Sequence, residues 1–352
     1  MSKIRLTGSY RIPWAESVHY ADDEWVILSC GRTIRLLSRH GLQHSLRLPS
    51  TYLERACQTA RLPRRALRLD KMAVVPVFGD SDTPSLVVVR GGRAYRIEPE
   101  TGSIAQTLTL RQSRNPMHQS ICVTASGIIV QAEYGANPER RGVPVYASRD
   151  RGSTWEMVYE LPAGSARHVH SCNWDPVDRR IWICTGDFDG ENFLLSADEE
   201  FMSVEWIGDG SQDWRTCGLL FEPDAVYFGM DSPLESSFVM RLDRKTRILE
   251  RMQPLPGPVW YSKMLSDGWM LMATAVERGP AVESRRAKIF ASRCGTHWVP
   301  VASHAKDLWP MPWFKNGTIN FADGVQSSKR FFFSGEALRG LDGRVFVGSV
   351  GI

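Results

Sequence analysis

Residues 147–156 read "ASRDRGSTWE", and four of them stand at fixed offsets: Ser148, Asp150, Gly152 and Trp155. Serine and aspartate side chains hydrogen-bond the backbone of tight turns, and glycine adopts the positive φ angles that other residues avoid. A tryptophan directly after such a turn suits the start of a strand, where its ring packs between sheets. The residue types of this stretch therefore suit a tight structural turn.

Short apolar runs dominate the rest of the chain, and long helical patterns are nearly absent. Gly, Pro, Asn and Asp punctuate the runs, as expected for strands joined by turns. The runs are "EWVILSC" (24–30), "SLVVVRG" (85–91), "GIIVQAE" (127–133), "RIWICTGD" (180–187), "AVYFGMD" (225–231), "WMLMATAVE" (269–277), "RFFFSGE" (330–336) and "RVFVGSV" (344–350). This pattern predicts an all-β fold.

Five of the runs end in an acid, and a second column of residues lies 15 to 17 positions before each acid. The acids are Glu133, Asp187, Asp231, Glu277 and Glu336, and the upstream residues are His118, His170, Arg215, Tyr261 and Phe321. Two columns at a near-constant offset indicate an internal repeat of roughly 45–50 residues. Equivalent residues of successive repeats are then expected to form a ring around one pocket.

The repeat predicts a single β-propeller over residues 1–352, built of four-stranded blades around a central funnel. Five units follow residue 112, and residues 15–50 and 65–110 favour two more, so seven blades are preferred and six are the alternative. The last unit supplies three strands, and "SKIRLTGSY" (2–10) is expected to add the fourth, pairing the chain ends. Thr51 and Glu54, at capping-box spacing, predict a short helical insertion near 51–60.

The motif of residues 148–155 resembles the Asp-box, or BNR repeat, of the sialidase-like β-propellers, S-x-D-x-G-x-[TS]-W. Two degraded copies follow, "LSADEEFMSVEW" (195–206) and "ASRCGTHW" (291–298). The resemblance implies that each copy lies between the two outer strands of a blade. The segments "RHVHSCNWDPVDRRIWICTGDFDGEN" and "GSQDWRT" are similar to bacterial members described as glycosyl-hydrolase-like, which implies a carbohydrate-active protein.

The candidate site is therefore placed where the two columns meet. The predicted catalytic residues are Glu133, His170, Asp187, Arg215 and Tyr261, and the predicted substrate-binding residues are His118, Tyr134, His168, Gln212, Asp231 and Glu277. Arginine forms bidentate hydrogen bonds with carboxylates, and acidic sugars carry a carboxylate. Clustered acids raise one another's pKa, which produces a general acid for glycosidic cleavage, unless they only bond backbone groups in loops.

His168 and His170 are two positions apart, so they share one face of a strand. With Asp187 or Asp189 they could bind a divalent cation, while the alternative is packing and loop capping. No other cofactor is indicated by the sequence.

The preferred function is a carbohydrate-active enzyme, a glycoside hydrolase or a polysaccharide lyase, that acts on an acidic or complex glycan in the central funnel, and a non-catalytic propeller is the alternative. Sialidases hold the sialate carboxylate with three arginines, and here only Arg215 and Arg167 fall near the predicted mouth. Propeller polysaccharide lyases combine His, Tyr and Arg, residue types that His118, His170, Tyr261 and Arg215 provide. The non-catalytic alternative binds a glycan or a protein partner, its acids serving structure.

Composition limits the partners, the redox state and the location that can be expected for the protein. The formal charge of +4 is small for 352 residues, and the basic residues cluster only at 61–71, which does not favour nucleic acid. Seven cysteines without a CxxC pair fit reduced thiols. No apolar run is long enough to span a membrane, and the N-terminus lacks the features of a signal peptide, so the expected location is the cytoplasm.

Overall fold

The computed structural model describes residues 5–57 and 60–351, and its strands form seven four-stranded antiparallel sheets, the blades of a seven-bladed β-propeller. The first strand, β1 (Arg5–Ile12), belongs to the last blade. Blade 1 comprises β2 (Ser17–Ala21), β3 (Trp25–Cys30), β4 (Thr33–Ser38) and β5 (Gly41–Arg47), and blade 2 comprises β6 (Ala73–Val77), β7 (Ser85–Arg90), β8 (Arg93–Glu98) and β9 (Ser103–Thr109).

The later blades continue in chain order. Blade 3 comprises β10 (Ile121–Val123), β11 (Ile129–Ala132), β12 (Val143–Ser148) and β13 (Glu156–Leu161), and blade 4 comprises β14 (His168–Asp175), β15 (Arg180–Gly186), β16 (Asn192–Ala197) and β17 (Val204–Gly210). Blade 5 comprises β18 (Leu220–Phe221), β19 (Ala225–Gly229), β20 (Ser237–Asp243) and β21 (Leu249–Leu255), and blade 6 comprises β22 (Val259–Met264), β23 (Met270–Thr274), β24 (Arg286–Ser292) and β25 (Val299–Ala305). Blade 7 combines β26 (Thr318–Phe321), β27 (Phe331–Glu336) and β28 (Arg344–Gly351) with β1.

The all-β class and the preferred count of seven blades are confirmed. The expected ring closure is confirmed too, since β1 pairs antiparallel with β28 from Arg5–Gly351 to Ile12–Val345. Residues 2–4 of the predicted closing run lie outside the described residues. Pairing the chain ends gives β28 a neighbour on both sides, so its backbone is not left as an open edge.

The chain divides into two compact units. Unit 1 comprises 1–70, 232–241 and 250–352, and unit 2 comprises 71–231 and 242–249. That the whole chain is one domain stays a prediction.

Apolar cores lie between consecutive blades within each unit. In unit 2, Val130 and Val145 of blade 3 pack with Ile183 and Leu195 of blade 4, all of them without exposed surface. The strands that carry these residues are buried along almost their whole length, and burial of their apolar side chains stabilises the packing of the two blades.

The predicted insertion near 51–60 contains α1 (Tyr52–Cys57), and residues 58–59 lie outside the described part. Its capping box is present: Glu54 N donates to Thr51 Oγ1 over 3.2 Å, and Thr51 N donates to Glu54 Oε2 over 2.9 Å. A second helix, α2 (Arg61–Ala66), was not predicted. A short third helix, α3 (Met311–Phe314), precedes β26.

Helix α2 explains the basic run at 61–71. Arg65 is 1% exposed and pairs with Asp307 over 2.7 Å, and Arg64 pairs with Glu16 over 2.5 Å and with Asp70 over 2.9 Å. These guanidinium groups are therefore neutralised inside unit 1 and do not form a basic surface.

The turn at 148–155 connects β12 to β13, the two outer strands of blade 3. Asp150 Oδ1 accepts hydrogen bonds from Thr154 N over 2.8 Å and from Ser148 Oγ over 2.9 Å, and Gly152 N donates to Ser148 Oγ over 2.8 Å. Gly152 has a φ of +83°, and a Cβ there would lie 2.3 Å from a methyl of Val87. The stretch is thus a structural turn, as predicted.

Trp155 acts as the expected wedge. Its ring packs against the core shared by blades 2 and 3, and Nε1 donates to Thr107 Oγ1 over 3.0 Å. In the degraded copies, Asp198 accepts bonds from three backbone N–H groups of its turn, and Ser292 Oγ accepts from the N–H of Cys294 and Gly295.

All seven cysteines lie in the described part of the chain and are free thiols. None of the helices in residues 5–57 and 60–351 combines the length and apolar character needed to cross a bilayer.

Candidate functional site

The five predicted acids share one position in their blades. Glu133, Asp187, Asp231, Glu277 and Glu336 each lie at the end of the second strand of blades 3 to 7 or within three residues after it. The first and second strands of a blade are antiparallel, so the end of the second strand lies beside the start of the first. This geometry places Asp187 3.3 Å from His170 and Asp231 3.5 Å from Arg215. In blade 7 the predicted pair is not opposed, because Glu336 pairs with Thr318 and Phe321 with Phe333.

Unit 2 brings seven polar and aromatic side chains together, here called the polar cluster: Tyr134, Arg167, His168, His170, Asp187, Arg215 and Asp231. Asp187 is its hub. Its Oδ2 lies 2.6 Å from Arg167 Nη1, and its Oδ1 lies 3.0 Å from Arg215 Nη2 and 3.3 Å from His170 Nε2. One carboxylate is therefore bound by two guanidinium groups and faces an imidazole.

The position of Asp187 in the polar cluster depends on the glycine before it. Gly186 has a φ of +147°, and a Cβ there would lie 2.1 Å from Asn192 Oδ1. Asn192 in turn donates to the carbonyl oxygens of Phe188 and Gly210. Only glycine allows β15 to end this close to β16, which fixes the loop that carries Asp187.

The two histidines are oriented by backbone carbonyl groups. His168 Nδ1 lies 2.7 Å from Gly135 O, and His170 Nδ1 lies 2.9 Å from Thr216 O. A carbonyl only accepts, so both Nδ1 atoms carry hydrogen and both Nε2 atoms point elsewhere. They point to Asp187, at 3.6 Å for His168 and 3.3 Å for His170.

Burial sets the charge states in the cluster. Burial, aided by the neighbouring His170, lowers the pKa of His168 to about 3, so this imidazole is neutral at ordinary pH. Burial alone would raise the pKa of Asp187, but His170, His168 and Arg215 outweigh it and hold that pKa well below its usual range. Burial raises the pKa of Asp231 despite the opposing charge of Arg215.

Arg215 joins the two acids. Its Nε lies 3.5 Å from Asp231 Oδ2, while Nη1 donates to Asp187 O over 2.7 Å. Cys217 Sγ donates to the same Asp231 oxygen over 3.2 Å. Cys217 was not a predicted site residue, although its place two residues after Arg215 was a usable signal.

Tyr134 covers one side of the cluster. Its ring centroid lies 4.2 Å from that of His168, and burial together with the charge of Asp187 raises its pKa well above the usual value. Gln212 is buried, and its Nε2 donates to Asp189 Oδ1 over 3.1 Å and to Asp187 O over 3.3 Å. These contacts tie Gln212 to the loop that carries Asp187 and Asp189.

Glu133, also in unit 2, has a different environment. Its carboxylate is fully buried and accepts hydrogen bonds from Arg111 N, Gln112 N and Tyr146 Oη, at 2.7, 2.6 and 3.1 Å. Those contacts are the backbone-bonding alternative considered for the acids. His118, predicted to bind substrate, is buried just before β10.

The remaining predicted residues lie in unit 1. Tyr261 is 2% exposed, and Glu336 is paired with Lys315 over 2.5 Å. Glu277 accepts from Trp260 Nε1 over 3.3 Å and lines a cleft of about 700 Å³ whose wall includes Arg278, Trp309 and Arg339.

A metal ion would find two groups of ligand atoms in unit 2. The first is His168, His170 and Asp187, and the second is His170, Cys217 and Asp231; within each group the atoms lie within 4.8 Å of one another. The first is the group anticipated from the sequence.

Comparison with known proteins adds a structural likeness. No family model matches the chain, and no curated protein matches it. A solved structure from Agrobacterium tumefaciens, identified provisionally as TolB, is similar over 64% of this chain and 78% of that chain, at 13% identity and a TM-score of 0.44.

Proposed function

We propose that the protein is a carbohydrate-active propeller that takes an acidic glycan at the polar cluster. The observation that carries the proposal is that Arg167 and Arg215 both form ion pairs with the same carboxylate, that of Asp187. Two guanidinium groups at these distances form the kind of site that holds the carboxylate of an acidic sugar. The resemblance of residues 148–155 to the Asp-box of the sialidase-like propellers supports this function.

Arg167 is the arginine of the cluster that a ligand in solution can reach. Its side chain is 30% exposed, whereas that of Arg215 is 10% exposed. A guanidinium has five N–H donors, and Arg167 uses Nε on Ala136 O and Nη1 on Asp187. Phe188, 48% exposed, lies against the Arg167 guanidinium and offers an apolar face beside it. A sugar ring with a carboxylate would contact both surfaces.

Elimination fits the cluster better than hydrolysis by two carboxylates. Such hydrolysis needs a carboxyl group free to give a proton to the leaving oxygen. Asp187 is bound by two guanidinium groups, and Glu133 accepts three hydrogen bonds away from the surface. A lyase reaction on a uronate removes the C5 proton, breaks the C4–O bond and forms a C4–C5 double bond, so it needs a cation at the sugar carboxylate, a base and an acid. Arg167 would supply the cation, His170 would take the proton, and the phenol of Tyr134 would give a proton to the leaving oxygen.

A second candidate is binding without turnover. It is favoured by the same saturation of Glu133 and Asp187, because carboxylates with full sets of donors stabilise loops. In this reading the polar cluster recognises an acidic glycan and releases it unchanged.

The test uses polygalacturonate, polysialic acid and neutral dextran with the full-length protein. Calorimetry measures binding, ultraviolet absorbance detects unsaturated products of elimination, and a reducing-end assay detects hydrolysis. We expect binding of an acidic polymer and not of dextran. Arg167→Ala should weaken it ~10- to 100-fold, the loss of one charge-assisted hydrogen bond, and Arg149→Ala, at the outer turn, should not.

The outcomes separate the two candidates. Binding with unsaturated products supports the lyase, and binding without products supports the non-catalytic propeller. Failure of both acidic polymers to bind, or equal loss in Arg167→Ala and Arg149→Ala, would reject the cluster as a glycan site.

A further inference from the structure

We propose that His168, His170 and Asp187 bind a divalent first-row transition-metal ion such as Zn²⁺ through the two Nε2 atoms and the carboxylate. The inference goes beyond the glycan proposal and does not depend on it. It rests on the orientation of the two imidazoles, on a buried atom without a partner, and on the charges around them.

The imidazoles are oriented as in metal sites. Metal-binding histidines donate one ring N–H to a carbonyl or carboxylate, which fixes the tautomer and leaves the other nitrogen free for the metal. Here Gly135 O and Thr216 O accept from the Nδ1 atoms of His168 and His170. The backbone thus directs both Nε2 atoms to one place, and a metal ion there would replace the hydrogen through which His170 Nε2 contacts Asp187 Oδ1.

His168 Nε2 forms no hydrogen bond in the described part of the chain. His168 is 3% exposed, and this nitrogen is buried. Asp187 Oδ2 lies 3.6 Å from this nitrogen, so a lone pair faces a lone pair. Such an arrangement is unfavourable unless a cation lies between them, because buried polar atoms left unpaired cost free energy.

The first strand of blade 4 has an irregularity at His170. β14 pairs with β15 through His168–Gly186 and Val169–Thr185, and the register then shifts between Val169 and Ser171. The same shift occurs in blades 1 and 6, at His19 and Trp260, so it is a recurring feature of these blades. A bulge changes the direction of the side chain at which it occurs, and in blade 4 that side chain is a proposed ligand.

The surrounding charges tolerate a dication. The carboxylates of Asp187 and Asp231 contact the two guanidinium groups, and the exposed carboxylate of Asp189 accepts a hydrogen bond from Gln212. Arg167 contacts Asp187 Oδ2, the oxygen nearer His168, and Arg215 contacts Oδ1, the oxygen nearer His170. Each guanidinium is then an outer partner of the ligand carboxylate. A bound ion would share Asp187 with them.

The ligand types select the ion. Two imidazoles and one carboxylate suit Zn²⁺ and neighbouring transition metals, while Ca²⁺ prefers six to eight oxygen ligands. The group of His170, Cys217 and Asp231 is a weaker choice, since the Cys217 thiol already donates to Asp231.

The test is calorimetric titration of the full-length protein, stripped with a chelator, with ZnCl₂ and separately with CaCl₂. We expect one equivalent of Zn²⁺ and no comparable Ca²⁺ binding. His168→Ala, His170→Ala and Asp187→Asn should each weaken Zn²⁺ binding by more than ~100-fold, because replacing even outer partners of a metal ligand costs ~10- to 100-fold.

A matched control removes exposed metal-binding groups. The double variant Cys294→Ser/His297→Ala lacks a thiol and an imidazole on the turn between β24 and β25, both exposed, and should bind Zn²⁺ as the parent does. Asp187→Asn preserves shape, so it tests the site even if a histidine variant fails to fold. Absence of stoichiometric binding, its loss in the control variant, or its retention in Asp187→Asn would overturn the proposal.

Discussion

At the scale of single residues, equivalent positions in the repeat carry different roles. Glu133 and Asp187 both follow the second strand of their blades, yet Glu133 binds two backbone N–H groups and a phenol, while Asp187 binds two guanidinium groups. The sequence predicted the shared position because the repeat is periodic. It did not separate the roles, since the partners come from loops and side chains outside the repeat pattern.

Glu133→Gln tests the structural role of that residue. Loss of the charge weakens three buried hydrogen bonds, so we expect a fall of ~3 kcal/mol in the free energy of unfolding, measured with urea. Glu160→Gln is the control, because Glu160 pairs with Arg111 at the surface and its loss should cost under ~1 kcal/mol. A stable Glu133→Gln protein that has lost turnover would instead make Glu133 catalytic.

His19 predicts a pH dependence. It is 4% exposed with Nε2 2.8 Å from Ser29 Oγ, and burial lowers its pKa from 6.5 to about 3. The unfolded chain therefore binds one more proton than the folded protein between pH 3 and 6.5, and stability contributed by neutral His19 is lost as the pH falls through that window.

Comparison with His19→Gln isolates this contribution. Between pH 6 and 4, the free energy of unfolding of the parent should fall more steeply than that of the variant by up to ~1.4 kcal/mol per pH unit. Parallel slopes in urea titrations across this range would show that His19 does not titrate on unfolding.

At the scale of elements, structures held by contacts between residues near in sequence were predictable, and those held by contacts between distant residues were not. The turn at 148–155 and the capping box of α1 follow from residues a few positions apart. Helix α2 lacked such a signal, because Arg61 and Arg65 are paired with Asp342 and Asp307, 281 and 242 residues away. The polar cluster is intermediate: its residue types were predicted, while its backbone partners Gly135 O and Thr216 O were not.

The turn between β12 and β13 gives the prediction at this scale. Asp150→Ala removes acceptors for Thr154 N, Thr154 Oγ1 and Ser148 Oγ, so we expect a loss of ~1 kcal/mol in the free energy of unfolding. Asp198→Ala in blade 4 should cost a similar amount, and neither should change glycan or Zn²⁺ binding. A change in binding with unaltered stability would contradict the structural role of these turns.

At the scale of the whole molecule, the repeat and the closing strand carry the fold. Seven blades follow from the spacing of the apolar runs, and pairing of β1 with β28 completes the last blade. Removal of residues 1–12 would leave the backbone groups of β28 as an open edge, so we expect lower stability and self-association. Light scattering should show a monodisperse species for a control lacking only residues 1–4 and larger species for the 1–12 deletion; equal behaviour would argue against closure by β1.

The most direct test of the functional account is a crystal structure of the protein with a short galacturonate oligomer. The account predicts the sugar carboxylate against Arg167, with a ring lying beside Tyr134 or Phe188. An oligomer bound instead in the cleft beside Glu277 and Trp309, with the polar cluster unchanged, would contradict it.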